Sequence, residues 1–266
     1  MYSLGYGIGH RRGGLPLGRL LIALVIAAGS FLSYCSSRSV NEVTGEVQHV
    51  GLSVDQEIAL GLEAAPQMAL KHGGELPDAA SQARADRIGD EILAAVGQTP
   101  YRFDFHVLTD PDTINAFALP GGQIFITRGL QRRLTTEGQL AGVLAHEVGH
   151  VIGRHSAEQI AKAKLSQGLS GAAVMATYDP ANPSSRNSAY IAQMIGQLVN
   201  LRFGREDELE ADRLGVRYMA RAGYDPQAMI KVMEVLKQAA GGGRTPEFFA
   251  THPNPENRIA RIKEAI

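Results

Sequence analysis

Thr136-Glu-Gly-Gln-Leu-Ala-Gly-Val-Leu-Ala-His146-Glu147-Val-Gly-His150-Val-Ile-Gly153 reads as one helix with an H-E-x-x-H core. Thr136 followed by Gln139 offers a capping box at its start. Leu140, Val143, Leu144, Val148 and Val151 recur at helical spacing, so most of this helix is expected to be buried. His146 and His150 are four residues apart and stack on one face. Two imidazoles at that spacing hold one zinc ion at about 2.0–2.1 Å each. Glu147 points away from the pair by roughly a third of a turn, which suits a base for the metal's water rather than a ligand. A buried apolar helix is a costly place for two His and a Glu without partners. Two satisfied core histidines beside a salt-bridged Glu are the weaker account.

A catalytic zinc takes three protein ligands and keeps one position open. The local solution, H-E-x-x-H-x-x-G-x-x-H, is rejected. Gly153 fits it, but the last position is Ser156 and His155 falls one residue short. The other source is a downstream acid in Arg205-Glu-Asp-Glu208-Leu-Glu210-Ala-Asp212-Arg-Leu-Gly. Glu208 and Asp212 share a helix face, so one can bind zinc while the other holds a ligand histidine in its tautomer. Leu209, Ala211, Leu214 and Val216 run through this segment, so it is expected to pack rather than lie as a solvated acidic face.

Working outward, Ser53 with Gln56 opens a helix running to about Lys71, and Asp78 caps a second that Gly97 ends. His49 and His72 lie outside any ligand spacing and are expected at the surface. Residues 101–108 alternate as a strand, with His106 on the polar face. Residues 114–119 and 123–127 predict two short strands around Pro120-Gly121-Gly122. A helix follows Gly153 to about Met175, with His155 making local hydrogen bonds near its start. Residues 178–187 have the composition of an exposed connector or, alternatively, a lid. A helix over 188–203 leads into the Glu208 helix, and Asp225-Pro226 starts another. Residues 241–246 read as a flexible joint, and His252 sits in a Pro-rich loop before a last helix over 256–265.

Several stretches resemble a known family: Asn115-Ala-Phe-Ala-Leu-Pro-Gly-Gly-Gln-Ile-Phe, His146-Glu-Val-Gly-His150, Glu208-Leu-Glu-Ala-Asp212 and Thr251-His-Pro-Asn-Pro-Glu-Asn-Arg258-Ile. They are similar to the zinc metallopeptidases that include the CAAX prenyl endopeptidase and the heat-shock protease HtpX (family M forty-eight), over roughly residues 40–266. The chain is most similar to envelope-exposed single-domain bacterial members. The resemblance implies that Glu208 is the third zinc ligand and Asp212 the partner of a ligand histidine. It implies a substrate edge over Asn115, Gly122, Gln123 and Ile124, where an extended peptide adds to the sheet by its backbone. It also gives His252 a role at the centre. That role is either donation to the oxyanion formed on the scissile carbonyl or occupation of zinc's open position in a latent enzyme.

With 266 residues and 44% hydrophobic content, the chain can build one such domain plus a leader. A net charge of -1 and the absence of Trp and of a basic stripe exclude nucleic acid as a partner. Residues 1–38 read as a signal, lipoprotein or membrane-anchor segment. Arg11, Arg12 and Arg19 precede the apolar run Leu20-Leu-Ile-Ala-Leu-Val-Ile-Ala-Ala-Gly-Ser-Phe-Leu32, typical of a signal sequence and short for a membrane span. Cys35, the only cysteine, rules out an internal disulfide and sits where a bacterial lipoprotein acceptor would, although Tyr34 departs from that pattern. Lipidation, an uncleaved anchor and a cleaved signal all put the remainder in the bacterial periplasm. Residues 39–52 read as a linker and 53–266 as the peptidase domain.

The expected fold is α+β: a mostly helical, gluzincin-like zincin domain with a small β-sheet. The expected activity is that of an endopeptidase with one zinc per chain, held by His146, His150 and Glu208. Glu147 is the base for a zinc-activated water and His252 assists. Its substrates are polypeptides, misfolded or misassembled envelope proteins, and it meets the membrane through its N-terminus. The alternatives are a largely latent, chaperone-like assembly factor for outer-membrane proteins and a zinc hydrolase acting on a non-peptide bond.

Overall fold

The computed structural model describes residues 17–177, 202–241, 246–253 and 257–266. Local signals place its elements much as the sequence predicts. Helix α1 (Leu17–Ser36) is followed by strands β1 (Arg38–Val40) and β2 (Val47–His49). Helix α2 (Val54–Lys71) starts at the Ser53–Gln56 capping box. Helix α3 (Ala79–Val96) starts where the Asp78 carboxylate accepts from the Ala80 and Ser81 amides, and it ends at Gly97. Strands β3 (Asp104–Leu108), β4 (Ala116–Ala118) and β5 (Gln123–Thr127) precede a single turn, α4 (Arg128–Gln131). The H-E-x-x-H segment is α5 (Glu137–Ile152), opened by the Thr136–Gln139 capping box. Then come α6 (His155–Thr177), α7 (Arg205–Arg221), α8 (Gln227–Gly241), α9 (Phe248–Thr251) and α10 (Arg258–Ala265).

The fold is α+β and mostly helical. Its three-stranded sheet has the order β3-β5-β4, with β5 parallel to β3 and antiparallel to β4. The main core packs Ile88 and Ile92 of α3, Ile124 and Ile126 of β5, Leu140, Leu144 and Val148 of α5, and Leu214 and Met219 of α7. Burying these side chains drives the assembly. Helix α5 is enclosed along nearly its whole length, from Gln139 to Ile152. It crosses α7 closely because the crossing is lined by glycine. A Cβ on Gly149 would lie 2.9 Å from the Ala211 carbonyl oxygen, and one on Gly215 would lie 3.3 Å from the His146 nitrogen. This crossing brings the two motif helices within side-chain reach of one another.

Two expectations need correction. The stretch read as a linker holds an antiparallel hairpin, Arg38 facing His49 and Val40 facing Val47. Two buried polar side chains of this hairpin cap the end of α5. Asn41 Nδ2 donates to the Ile152 carbonyl at 2.8 Å, and Gln48 Nε2 donates to the Gly153 carbonyl. These carbonyls have no partner inside the helix, so the hairpin satisfies groups that would otherwise be buried unpaired. His72 is buried rather than exposed, packed against Phe117. Its spacing in the sequence gave no signal of that contact. Among the described residues no helix is long and apolar enough to cross a membrane. The segments 178–201 and 242–245, including the connector or lid, the following helix and most of the joint, lie outside the described residues.

Candidate metal centre

Three separate parts of the chain converge on one buried point. Helix α5 supplies His146 and His150, α7 supplies Glu208, and His252 arrives from the turn after α9. One ligand atom from each of the four lies within 4.8 Å of the others. His146 Nε2 and His150 Nε2 are 3.1 Å apart. Glu208 approaches them at 3.6 and 3.4 Å, and His252 Nδ1 lies 3.0 Å from Glu208 Oε1 and 3.5 Å from His146 Nε2. Four donors about 2.0–2.2 Å from a tetrahedral ion have edges of about 3.3–3.6 Å, and the spacings of 3.0–3.6 Å among the three histidine nitrogens and the two Glu208 oxygens are close to that.

The surroundings agree with that fit. His146 Nδ1 lies 2.9 Å from Asp212 Oδ1, close enough for the ring to donate from Nδ1 with the carboxylate accepting, the arrangement that would leave Nε2 to an ion. Phe203 stacks on His150 with centroids 4.0 Å apart, and Phe248 stacks on His252 at 4.4 Å. Glu147 is fully buried, and among the described residues neither of its carboxylate oxygens has a hydrogen-bond partner. The nearest cation-capable atom is His252 Nε2, 3.7 Å away. A buried carboxylate left in that state implies a missing polar partner, such as a water held by an ion.

Charge is balanced by a residue that sequence reasoning gave no role. Arg258 is completely buried; its Nε and Nη2 donate to the two oxygens of Asp212 at 2.7 Å, and its Nη1 lies 2.8 Å from Glu208 Oε2. Burial opposes ionisation of Asp212, but Arg258 and His146 outweigh it and lower its pKa. Glu208 is likewise held well below the usual carboxylate range, burial being overcome by His252, His146 and His150. Burial pushes Glu147 up and His150 well down. On His146, burial is outweighed by the hydrogen bonds to Asp212 and Glu208, which raise the ring to about 9. An ion on His146 must displace that proton, so binding there releases it.

Of the residues expected at the site, His146, His150, Glu208 and His252 form the cluster, Glu147 borders it, and Asp212 backs His146. The proposed substrate edge needs correction. Gln123 and Ile124 lie in the central strand β5, whose backbone is paired on both sides, so neither is free to receive a peptide. The Gln123 side chain is engaged as well, with His106 at 3.0 Å and Asp104 at 3.3 Å. Gly122 (φ 114°) makes the turn, and a Cβ there would lie 2.5 Å from the Arg102 carbonyl oxygen, so that space is already filled. The outer strand is β4. Asn115 and Leu119 bond to β5, so by alternation Ala116 and Ala118 turn their backbone groups to the other side. Asn115 stands at the head of this strand, and its buried Oδ1 has no hydrogen-bond partner among the described residues.

His155 and Glu210 were also missed. His155 is buried, with its Nδ1 2.8 Å from His150 Nδ1 and its Nε2 3.2 Å from Glu210 Oε2. For Arg258 the one signal was its place in the last family-like stretch. For His155 there was none, because its contact depends on how the chain turns after α5.

A profile of Peptidase family M48 matches residues 79–266. The chain is 38% identical over 169 residues to the beta-barrel assembly-enhancing protease of Escherichia coli (strain K12), covering 61% of this chain and 34% of that protein. It is 31% identical over 213 residues to the protein of the same name from Yersinia pestis, covering 79% and 43%. It is 36% identical over 179 residues to the mitochondrial metalloendopeptidase OMA1 of Schizosaccharomyces pombe, covering 67% and 51%. The chain thus spans about a third to a half of the length of these relatives. The matched region takes in the H-E-x-x-H helix, the Glu208 helix and the His252 turn, and the chain belongs to peptidase family M48, the metal-dependent peptidases.

Proposed function

We propose that the chain is a zinc-dependent endopeptidase of the bacterial cell envelope that cleaves misfolded or misassembled envelope proteins. The observation that carries this reading is the buried cluster of His146, His150 and Glu208 beside the unpartnered carboxylate of Glu147. When bound, zinc supplies Lewis acidity toward a water and toward the scissile carbonyl. His146, His150 and Glu208 would hold the ion, with Asp212 orienting His146. Glu147, its proton affinity raised by burial, takes the proton of the attacking water and passes it to the leaving amine. The polypeptide adds to the outer side of the sheet, at β4. A small pocket of about 20 Å³, lined by Met68, His72, Phe117, Leu119 and Phe203 together with the charged Lys71 and Glu247, adjoins that strand. The envelope location rests on the leader-like residues 1–38, with attachment through a lipidated Cys35 or the helix itself. The substrate class draws support from relatives named for enhancing β-barrel assembly.

One observation favours the largely latent form of this enzyme. His252 Nδ1 is the fourth potential donor of the cluster and would compete with a water for a bound ion. Cleavage then requires the turn carrying His252 to withdraw, and between such events the protein binds clients as an assembly or quality-control factor. Zinc content and casein cleavage, measured for the parent chain, Glu147→Gln and His252→Ala in parallel, test both readings. One zinc per chain with cleavage lost in Glu147→Gln is expected, with His252→Ala more active than the parent. Cleavage retained in Glu147→Gln would refute the mechanism, and reduced cleavage in His252→Ala would return that residue to oxyanion stabilisation.

A further inference from the structure

His146 and His150 are oriented in different ways. Behind His146 stands a carboxylate, Asp212, at 2.9 Å. Behind His150 stands a second imidazole, that of His155, at 2.8 Å between the two Nδ1 atoms, and only behind that ring is there a carboxylate, Glu210 Oε2 at 3.2 Å. For neutral rings the direction of this chain is fixed. Glu210 can only accept, so His155 carries its proton on Nε2 and presents a lone pair on Nδ1. His150 must then donate from Nδ1, which leaves its Nε2 lone pair facing Glu208 and His146.

Two further features show that the backbone is shaped to seat this ring. Arg154 adopts φ 58°, a left-handed conformation that is uncommon for a residue with a side chain. It is held there by Glu57 and by the Leu52 carbonyl, 2.9 Å from its Nη2. That turn folds His155 back beneath the end of α5. The space it enters is open because residue 153 is glycine; a Cβ there would lie 2.4 Å from His155 Nε2.

We propose that His155 and Glu210 are positioning residues that hold His150 in its metal-binding tautomer and orientation. The inference rests on the reading of His150 as a metal ligand. Zn²⁺ affinity of the full chain, measured by competition with a chromophoric chelator, tests it together with melting of the metal-free protein. His155→Phe, which fills the space but cannot accept, should weaken Zn²⁺ binding roughly 10–100-fold, the range for partners of metal-bound histidines. His155→Gln, whose Oε1 can accept from His150, should recover part of that loss. Should His155→Phe not fold, Glu210→Met serves instead: without its acceptor the His155 ring is free to take the opposing tautomer, and affinity should fall about tenfold. Affinity within twofold of the parent in His155→Phe or Glu210→Met overturns the proposal. So does equal weakening in His155→Phe and His155→Gln that follows the metal-free melting temperature. A parent chain that binds no Zn²⁺, or a His150→Ala variant that binds it as well as the parent, overturns the metal reading itself, which keeps the two failures separate.

Discussion

Arg258→Met isolates the charge balance of the centre. The guanidinium is 0% exposed and makes two 2.7 Å bonds to Asp212 and a 2.8 Å contact to Glu208. Methionine keeps much of the volume, so the variant loses charge and hydrogen bonds more than packing. Two carboxylates would then remain buried with only histidines to neutralise them, and solvent cannot screen them at that depth. Removing one partner of a buried ion pair costs about 3–5 kcal/mol. Arg258→Lys should lie between Met and the parent, because an ammonium retains the charge but cannot form the bidentate contact. Adding Asp212→Asn to Arg258→Met removes one of the stranded charges and should restore about 1–3 kcal/mol, the coupling expected of residues in direct contact. Urea unfolding in EDTA, followed by circular dichroism, reads these differences as midpoint shifts at unchanged slope. A loss under about 1 kcal/mol for Arg258→Met, or no recovery in the double variant, would refute the reasoning that this ion pair holds α7 and α10 at the centre.

The remaining predictions concern the elements around the metal. Glu147→Gln should bind zinc like the parent while cleaving casein at least about a hundredfold more slowly, the lower range for loss of a general base; equal rates would exclude that role. Gly149→Ala forces a Cβ to within 2.9 Å of the Ala211 carbonyl oxygen. It should cost about 1–3 kcal/mol in urea unfolding and weaken metal binding by spreading α5 from α7, and an unchanged midpoint would contradict the close crossing. Asn41→Ala leaves the Ile152 carbonyl without its donor and should cost about 1–3 kcal/mol; if it is neutral, the hairpin is not a cap of α5. Asp110 is lowered to about 2: some burial opposes ionisation, but Thr113, the Asp112 amide and His72 outweigh it. A depressed carboxylate stabilises the fold above its unfolded pKa, and that contribution is lost as pH falls through the folded value. Asp110→Asn should therefore be less stable than the parent at pH 6, and the gap should close between about pH 4 and pH 2. A gap that stays constant over that interval would mean that the stabilisation is not ionic.

Much of the scaffold was legible in the chain because its signals are local. A capping box needs only Thr136 and Gln139 three residues apart, and a two-histidine metal face needs only His146 and His150 four apart on one helix. Glu208 and Asp212 were equally visible as a pair, though their division of labour followed from family resemblance rather than from spacing. The limit came where contacts span the chain. Whether Gln123 or Ala118 lies at the edge of the sheet depends on the order β3-β5-β4, and both segments read as short strands whichever is central. Gly122 belonged to the substrate edge implied by the resemblance, yet the space beside it is filled by the backbone of Arg102.

The sequence by itself determined the helices, the histidine pair and the acidic pair, because each is written in side chains a few residues apart on a repeating backbone. Only the tertiary structure decided what surrounds them: Arg258 against Asp212 and Glu208, His155 behind His150, the hairpin on the end of α5, and His252 beside Glu208 and His146. These are pairings between residues brought together by packing. Arg258 lies 46 positions from Asp212 and Asn41 lies 111 from Ile152. No periodicity records such a contact; it exists only once buried polar groups must find partners inside a closed core.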